Sequence, residues 1–313
     1  MSFKDIFSYK GMLNKNTAAH ELSDADIKRL QNCMTTCTKE LLDVCNKYNI
    51  KLILQGGTLL GYVRHNGFIP WDDDMDFGLL REDYNRFIEI FDRELSDRYY
   101  ISAPRKRYPT YNRFVQVFRK GTIFDDGQIE NNERPLCIGI DLFPLDYAPN
   151  NKLIRWLKGI RANIIMAVGG SVDTYKHMNP KLKAAMLASA SGRIQYIIRM
   201  IIGFLFSWRD PKKWFEVIDV AVTGHGKTGY ITSGTGRWHY LNEIIPSDTV
   251  LPLQKVNFEG LELYAPNNPD YYLTHNYGNY MSIPPLEKRE KHFAVRIKTL
   301  QDVEDENGKK KME

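Results

Sequence analysis

The segment LQGGTLLGYVRHNGFIPWDDDMDFGLLREDY, Leu54 to Tyr84, decides how this chain is read. Asp72, Asp73 and Asp74 are followed by Met75 and then a fourth carboxylate, Asp76. Anions packed this densely repel one another unless a positive charge sits among them. A divalent cation, which takes hard oxygen ligands, is the usual answer. Along a strand alternate side chains share a face, so Asp72, Asp74 and Asp76 point together while Asp73 and Met75 point away. Most acidic runs are solvated loops. This one is flanked by Phe68-Ile69-Pro70-Trp71 and Phe77-Gly78-Leu79-Leu80, which favour burial and draw the acids into the fold. Upstream, Gly56, Gly57 and Thr58 form a turn into a helix. Its glycines permit close backbone approach, and its helix start favours phosphate.

The run GGTLLGYVRHNGFIPWDDDMDFGLLREDYNRF, residues 56 to 87, closely resembles the LicD family, which includes the fukutin-related transferases. GIDLFPLD at 139 to 146 and YGNYMSIPPLEKREKH at 277 to 292 are further matching elements. The resemblance extends from about residue 25 to 293, with the middle third poorly matched. It implies a nucleotidyltransferase-like fold and transfer of phosphocholine, or of a phosphorylated polyol such as ribitol phosphate, from a CDP-linked donor onto a glycan. One departure stands out. Family members often carry a Lys near Gln116, and here Arg113, Arg119 and Lys120 are the available substitutes.

A chain of 313 residues with 43% hydrophobic and 26% charged residues has ordinary globular composition and can bury a large core. Met1 to Lys15 is polar and does not read as a signal peptide. No apolar run is long enough for a transmembrane helix. These features place the chain in the cytoplasm, with peripheral contact at the inner face of the membrane as an option. Cys33, Cys37, Cys45 and Cys137 lack a CxxC spacing and read as reduced core thiols rather than zinc ligands.

The expected fold class is α/β with a mixed sheet: a nucleotidyltransferase-like core carrying an inserted, basic helical region. Residues 1–22 read as a loose arm and 23–150 as the core. Ser23 to Tyr48 is an amphipathic helix capped by Ser23 with Asp26 three residues on. Strands are expected at Lys51 to Leu54, Met75 to Leu79, Tyr99 to Ser102, Arg113 to Phe118 and Cys137 to Phe143. Helices are expected near Thr58 to Arg64 and Arg81 to Leu95. Residues 223–303 complete the site, with a hairpin at Val256 to Tyr264 and a short helix at Asn268 to Tyr277. GHGKTG at 224 to 229 lacks P-loop spacing. Residues 304–313 read as a charged, disordered tail.

Residues 151–222 are helical in pattern and poor in acids. Between Asn151 and Lys213, Asp173 and Asp210 alone oppose a long series of Lys and Arg, interleaved with Trp156 and Trp208. The apolar stretch Ile194 to Trp208 is interrupted by Arg199. Two readings stand: helices lying in an anionic headgroup region, or helices that merely cover the core. No motif supports nucleic-acid binding.

The chemistry expected of a nucleotidyltransferase-type site assigns Gly56, Gly57 and Thr58 to phosphate. Asp74 and Asp76, with Asp141 from a neighbouring strand, hold Mg2+ or Mn2+. Asp141, among apolar neighbours, needs a partner or a metal to offset its burial. Either Asp141 or Asp72 serves as the base for an acceptor hydroxyl. Arg64 contacts the diphosphate or forms a salt bridge with Asp72 or Asp73. His65 reads as a surface or hydrogen-bonded residue, and His292, which matches a family position, is a candidate phosphate contact. A choline donor would seek aromatic faces among Trp71, Trp238, Tyr240, Tyr271, Tyr272, Tyr277 and Tyr280. The partners are a CDP-linked donor and a glycan or lipid-linked acceptor. The alternatives are a nucleotidyltransferase that makes an activated nucleotide, or a non-catalytic glycan- or metal-binding protein.

Overall fold

The computed structural model describes residues 20–126, 134–178, 180–289 and 292–310. The first described elements are β1 (His20–Glu21), α1 (Asp24–Lys47), β2 (Ile53–Leu54), α2 (Gly56–His65), β3 (Asp76–Leu80) and α3 (Arg81–Glu94). Next come β4 (Tyr99–Ser102), β5 (Val115–Arg119), β6 (Ile123–Asp125) and β7 (Gly139–Ala148). The helices α4 (Lys152–Lys176), α5 (Pro180–Leu187), α6 (Ala190–Phe206) and α7 (Pro211–Val222) follow. The chain then returns to strands: β8 (Tyr230–Thr232), β9 (Ile244–Pro246), β10 (Gln254–Phe258) and β11 (Leu261–Ala265). Helix α8 (Pro269–Tyr277), strands β12 (Phe293–Ala294) and β13 (Arg296–Lys298), and helix α9 (Leu300–Lys310) complete the order.

The main sheet runs β10-β11-β2-β3-β7-β5-β4, and β8 and β9 extend it from the far half of β7. It is mixed: β3 pairs with β7 in parallel, while β2–β3 and β5–β7 are antiparallel. This is the expected α/β class with a mixed sheet. Strand β7 is the longest, and its register explains the site. Its first half pairs with both β3 and β5, and its last residues pair with β8. Helix α1 packs Ile27, Leu30, Met34, Cys37 and Leu41 into the core, together with Cys33 and Cys45. Its N-terminus carries the capping box foreseen at Ser23 and Asp26. The four cysteines are free, three of them buried.

Two expectations need correction. The third strand begins at Asp76 rather than Met75, so Asp72 to Asp74 stand in the segment that leads into it. The Gln31 amide fixes that segment by donating to the carbonyls of Ile69 and Asp72, both at 3.1 Å. The segment from Glu304 is not disordered but helical through Lys310. Its start is anchored by Asp302, which accepts from the Thr299 N–H at 2.7 Å and pairs with Arg29. These tertiary ties are not visible in a charged tail sequence. The expected arm lies outside the described residues apart from its last few positions.

The helices α4, α6 and α7 form a layer with its own small core of Ala148, Ala162, Met166, Phe215, Ile218 and Val222. A buried ion network joins it to the sheet. Arg81, at the start of α3, donates to Asp146 of β7 and to Asp219 of α7, both at 2.8 Å. Arg105 pairs with Asp219 as well. Burial works against the Arg81 charge, but Asp146 and Asp219 outweigh it and hold its pKa above the ordinary value. Among the described residues, no helix is long and apolar enough to cross a membrane.

Candidate active site

The sheet register sets the acids beside one another. Asp76 of β3 faces Asp141 of β7 across the parallel pair, and Gln116 of β5 faces Asp141 across the antiparallel one. Three polar side chains thus form a row over three strands on one face of the sheet. The Gln116 amide donates to Asp141 Oδ1 at 2.8 Å and fixes that carboxylate. Asp72 and Asp74 join the row from the lead-in segment, because the alternation expected of a strand survives there without strand pairing.

These acids line a cavity of about 990 Å3. Its floor is Gly56 and Gly57 at the start of α2, with Asp72, Asp74, Asp76 and Asp141 around them. Gly56 has φ +56, and a Cβ there would lie 2.7 Å from Asp76 Oδ2. A Cβ on Gly57 would lie 2.8 Å from Asp72 Oδ2. The glycines therefore admit the chain's own carboxylates against the helix start, in addition to whatever anion a ligand brings.

Desolvation raises Asp74 well above the ordinary carboxylate range, and the charges of Asp72, Asp76, Asp73 and Asp141 push it further. Asp74 is open to the cavity but hemmed in by protein elsewhere. Asp76 is raised by desolvation and by Asp141 and Asp72, with Arg237 opposing. Burial also raises Asp141, while the Gln116 bond and Arg134 partly offset it. Such a set is electrostatically incomplete, and a hard divalent cation fits its all-oxygen chemistry. Among the described residues, however, the group whose ligand atoms lie within 4.8 Å of one another is Asp72, Asp73 and His292. The expected trio of Asp74, Asp76 and Asp141 shares the cavity wall without meeting that spacing. His292 Nδ1 sits 2.6 Å from Asp73 Oδ1.

Thr58 also departs from expectation. It is buried, does not line the cavity, and its hydroxyl accepts from the Asp76 N–H at 2.8 Å. It latches the turn to the strand instead of reaching a phosphate. Arg64 does line the cavity, held by the Tyr280 carbonyl at 2.8 Å. Its partner His65 packs edge-on against Trp71.

Of the three substitutes for the missing lysine, Arg113 alone lines the cavity. It is anchored by the carbonyls of Thr235 and Gly236, and burial lowers its pKa to about 10. Arg119 is paired with Glu40, and Lys120 donates to the Ser96 carbonyl.

Sequence reasoning missed Arg237, Lys288 and Arg289, which complete the cationic wall. Lys288 and Arg289 belong to EKREKH, the motif from which His292 was singled out. Arg237 lies in the glycine-bearing segment after β8. Among the aromatic candidates, Trp71, Trp238, Tyr272 and Tyr277 line the cavity. Tyr240 is in the core, Tyr271 stacks on His275, and the Tyr280 hydroxyl is bound to Asp270. Arg289 already covers the face of Trp71 at 4.1 Å.

A glycine-led helix start, carboxylates on adjacent strands and a facing cationic wall define a nucleotidyltransferase-type domain. Residues 49–158 match the family model described as LicD/FKTN/FKRP, nucleotidyltransferase domain. The chain is 28% identical over 257 residues to the lipopolysaccharide cholinephosphotransferase LicD of Haemophilus influenzae, covering 80% of this chain and 89% of that protein. It is 36% identical over 183 residues to an uncharacterized protein of Rickettsia typhi, covering 56% of each. A shorter match to an uncharacterized protein of Rickettsia prowazekii is 36% identical over 87 residues, 26% of this chain and 33% of that one.

Proposed function

We propose that this protein is a metal-dependent transferase that moves phosphocholine, or another phospho-alcohol such as ribitol phosphate, from a CDP-linked donor. The acceptor is a hydroxyl of a cell-surface glycan or its lipid-linked precursor, and CMP is released. The observation that carries the reading is one cavity whose wall sets five carboxylates, Glu243 with the four aspartates, beside five cationic side chains at a helix start. A CDP-linked donor presents a diphosphate between a nucleoside and an alcohol, and this wall suits such a charge pattern. The likeness to a cholinephosphotransferase gives the transferred group its first candidate.

Asp74, Asp76 and Asp141 would hold Mg2+ or Mn2+, with Asp72 beside them. A divalent ion there supplies neutralisation of the diphosphate charge. The side chains carry the remaining steps. Arg64, Arg113, Arg237, Lys288 and Arg289 bind and orient phosphate oxygens. The acceptor oxygen attacks phosphorus in line, the new O–P bond forms, and the P–O bond to the CMP phosphate breaks. The acceptor proton passes to a carboxylate. Asp72, beside the metal-holding trio, or Asp141, whose orientation Gln116 fixes, is placed to take it. Trp71, Trp238, Tyr272 and Tyr277 offer ring faces to a quaternary ammonium.

The test is thermal stability with Mg2+ and, in turn, CDP-choline, CDP-ribitol, CDP-glycerol, CMP and ATP. A ligand at about a hundred times its dissociation constant adds roughly 2.7 kcal/mol. A metal-dependent rise with one CDP conjugate, lost in Asp76→Ala, identifies the donor. A rise with ATP alone transfers the assignment to a nucleotidyltransferase releasing pyrophosphate. No rise with any nucleotide removes the reading.

A further inference from the structure

Helix α6 is folded inside out. Its buried positions are Gly192, Gln195, Arg199 and Gly203, spaced as one helical face. Gln195 is 4% and Arg199 2% exposed, and Arg199 bonds the Thr174 hydroxyl of α4. The opposite stripe is Ile194, Ile197, Ile201, Phe204 and Leu205, continued by Trp208, and all are exposed. Phe204 is 65% and Trp208 70% open to solvent. A helix packed on a water-soluble core has the reverse arrangement. Arg199, which interrupts this stretch in the sequence, points inward, so the outer stripe is unbroken.

Helix α4 shows the same inversion. Its buried side is Gly159, Ala162, Gly169, Ser171 and Thr174, with Met166 and Val172, while Leu153, Leu157 and Ile164 are exposed. A Cβ on Gly203 would come within 2.6 Å of the Ser171 carbonyl, so the two helices pack through small residues. Small residues at a helix contact with apolar side chains outside are the pattern of helices solvated by lipid. Contiguous exposed apolar surface of this kind marks an interaction site.

The charges identify the occupant. Arg193 precedes the outer stripe, Arg209, Lys212 and Lys213 follow it, and the Arg209 guanidinium covers the Trp208 ring. The acids of this layer are few: Asp219 is buried against Arg81 and Arg105, Asp210 caps α7 through the Lys212 N–H, Asp173 pairs with His177, and Glu216 lies on α7, away from the α6 stripe in sequence. The face offered outward is therefore apolar in the middle, basic at its ends, and bordered by exposed tryptophans. An anionic lipid surface is complementary to it.

We infer that the exposed face of α4 and α6 docks in the headgroup and upper acyl region of an anionic bilayer, in plane and without spanning it. This inference stands on the surface alone and does not depend on the proposed transfer reaction.

The experiment is flotation of the full chain with vesicles of phosphatidylcholine alone or mixed equally with phosphatidylglycerol. The chain is expected to float with the mixed vesicles, and the Ile197→Glu/Phe204→Glu variant to bind them at least about tenfold more weakly. Both positions are exposed, and an unchanged melting temperature in the variant shows that the fold is intact. Brominated lipid quenching of the unmodified chain, diminished in Trp208→Phe, is the second readout and needs no destabilising substitution. Failure to float with mixed vesicles overturns the inference, as does flotation that the double variant leaves unchanged. A chain that sediments as a dimer, becomes monomeric in the double variant and ignores vesicles shows that a second copy covers this face instead.

Discussion

The sheet core and two helices of the layer, α4 and α6, bury different kinds of residue. The core closes over Leu30, Leu41, Leu52, Phe77, Phe118 and Leu142, all nearly inaccessible, and opens its polar groups to the cavity. In the layer, α7 packs Trp214, Phe215, Ile218 and Val222 inward in the usual way, whereas α6 buries Gly, Gln and Arg and α4 largely Gly, Ala, Ser and Thr, and both leave Ile and Leu exposed. The first region follows the rule for water and departs from it only where carboxylates gather. The second departs from it along whole helices. A local departure marks a site for a small ligand, whereas one along a helix marks a surface for an extended partner.

The largest effect distinguishing the regions is in catalysis. Asp76→Asn should lower kcat by about a thousandfold, since it removes charge from the expected metal and phosphate site. The same change should not lower the stability of the metal-free protein. The folded pKa of Asp76 is raised, so its charge opposes folding at neutral pH, and a neutral amide relieves that strain. Turnover measured with the donor that stabilises the protein, together with a melting curve in EDTA, checks both halves. A variant that loses activity only because it unfolds would place Asp76 in the scaffold instead of the site.

The next effect tests the joint between the two regions. Asp219→Ala leaves the buried Arg81 guanidinium with one carboxylate fewer and removes the Arg105 pair. Breaking a buried network of this kind costs about 3–5 kcal/mol. Urea unfolding should show the loss. If the two regions unfold separately in the variant, the network is what makes them cooperative.

A paired truncation addresses the inversion itself. Leu142→Ala in β7 should cost about 2–5 kcal/mol, because it opens a cavity in the closed core. Phe204→Ala in α6 removes a larger side chain, yet should change stability in water by no more than about 0.5 kcal/mol. Its effect belongs to vesicle binding. A large loss of stability on truncating Phe204 would mean that its ring is packed after all.

The sequence carried the core well and the layer poorly. The box at Ser23 and Asp26, the hairpin at Glu259-Gly260 and the acids of Asp72 to Asp76 are local patterns, and local patterns are legible. The sharing of one wall by Asp76 and Asp141 was foreseeable because both sit at fixed points of buried strands. For Thr58 and His292 the sequence named a chemically plausible role, phosphate binding, but not the protein contact each makes. That contact is with a neighbour distant in sequence: the Asp76 N–H for one, Asp73 for the other. Arg237 and Arg289 were missed for the same reason. In α6, a periodic sequence names two faces but not which of them is inside, so Arg199 looked like a break in an apolar run. Its true position follows from packing on α4.

The smallest effect lies on the seam between the regions. His239 follows Trp238 of the cavity wall and begins a one-turn helix that packs toward α4. Burial depresses its pKa to about 3, and the charges of Arg113 from the cavity and Arg199 from α6 add to the depression. The folded state thus holds this imidazole neutral where the unfolded chain would protonate it near its ordinary 6.5. The unfolded state binds more protons below that value, so the stability it contributes is complete above about pH 6.5 and falls as the pH drops toward 3. By pH 5 the loss should be roughly 1–2 kcal/mol after allowance for partial exposure. His239→Gln should flatten this part of the pH–stability curve while leaving stability at pH 8 nearly unchanged. Arg199→Met, on the layer side, should raise the His239 pKa as read by NMR titration. An unchanged titration in that variant would separate the two regions electrostatically and leave Arg113 alone as the source of the charge effect.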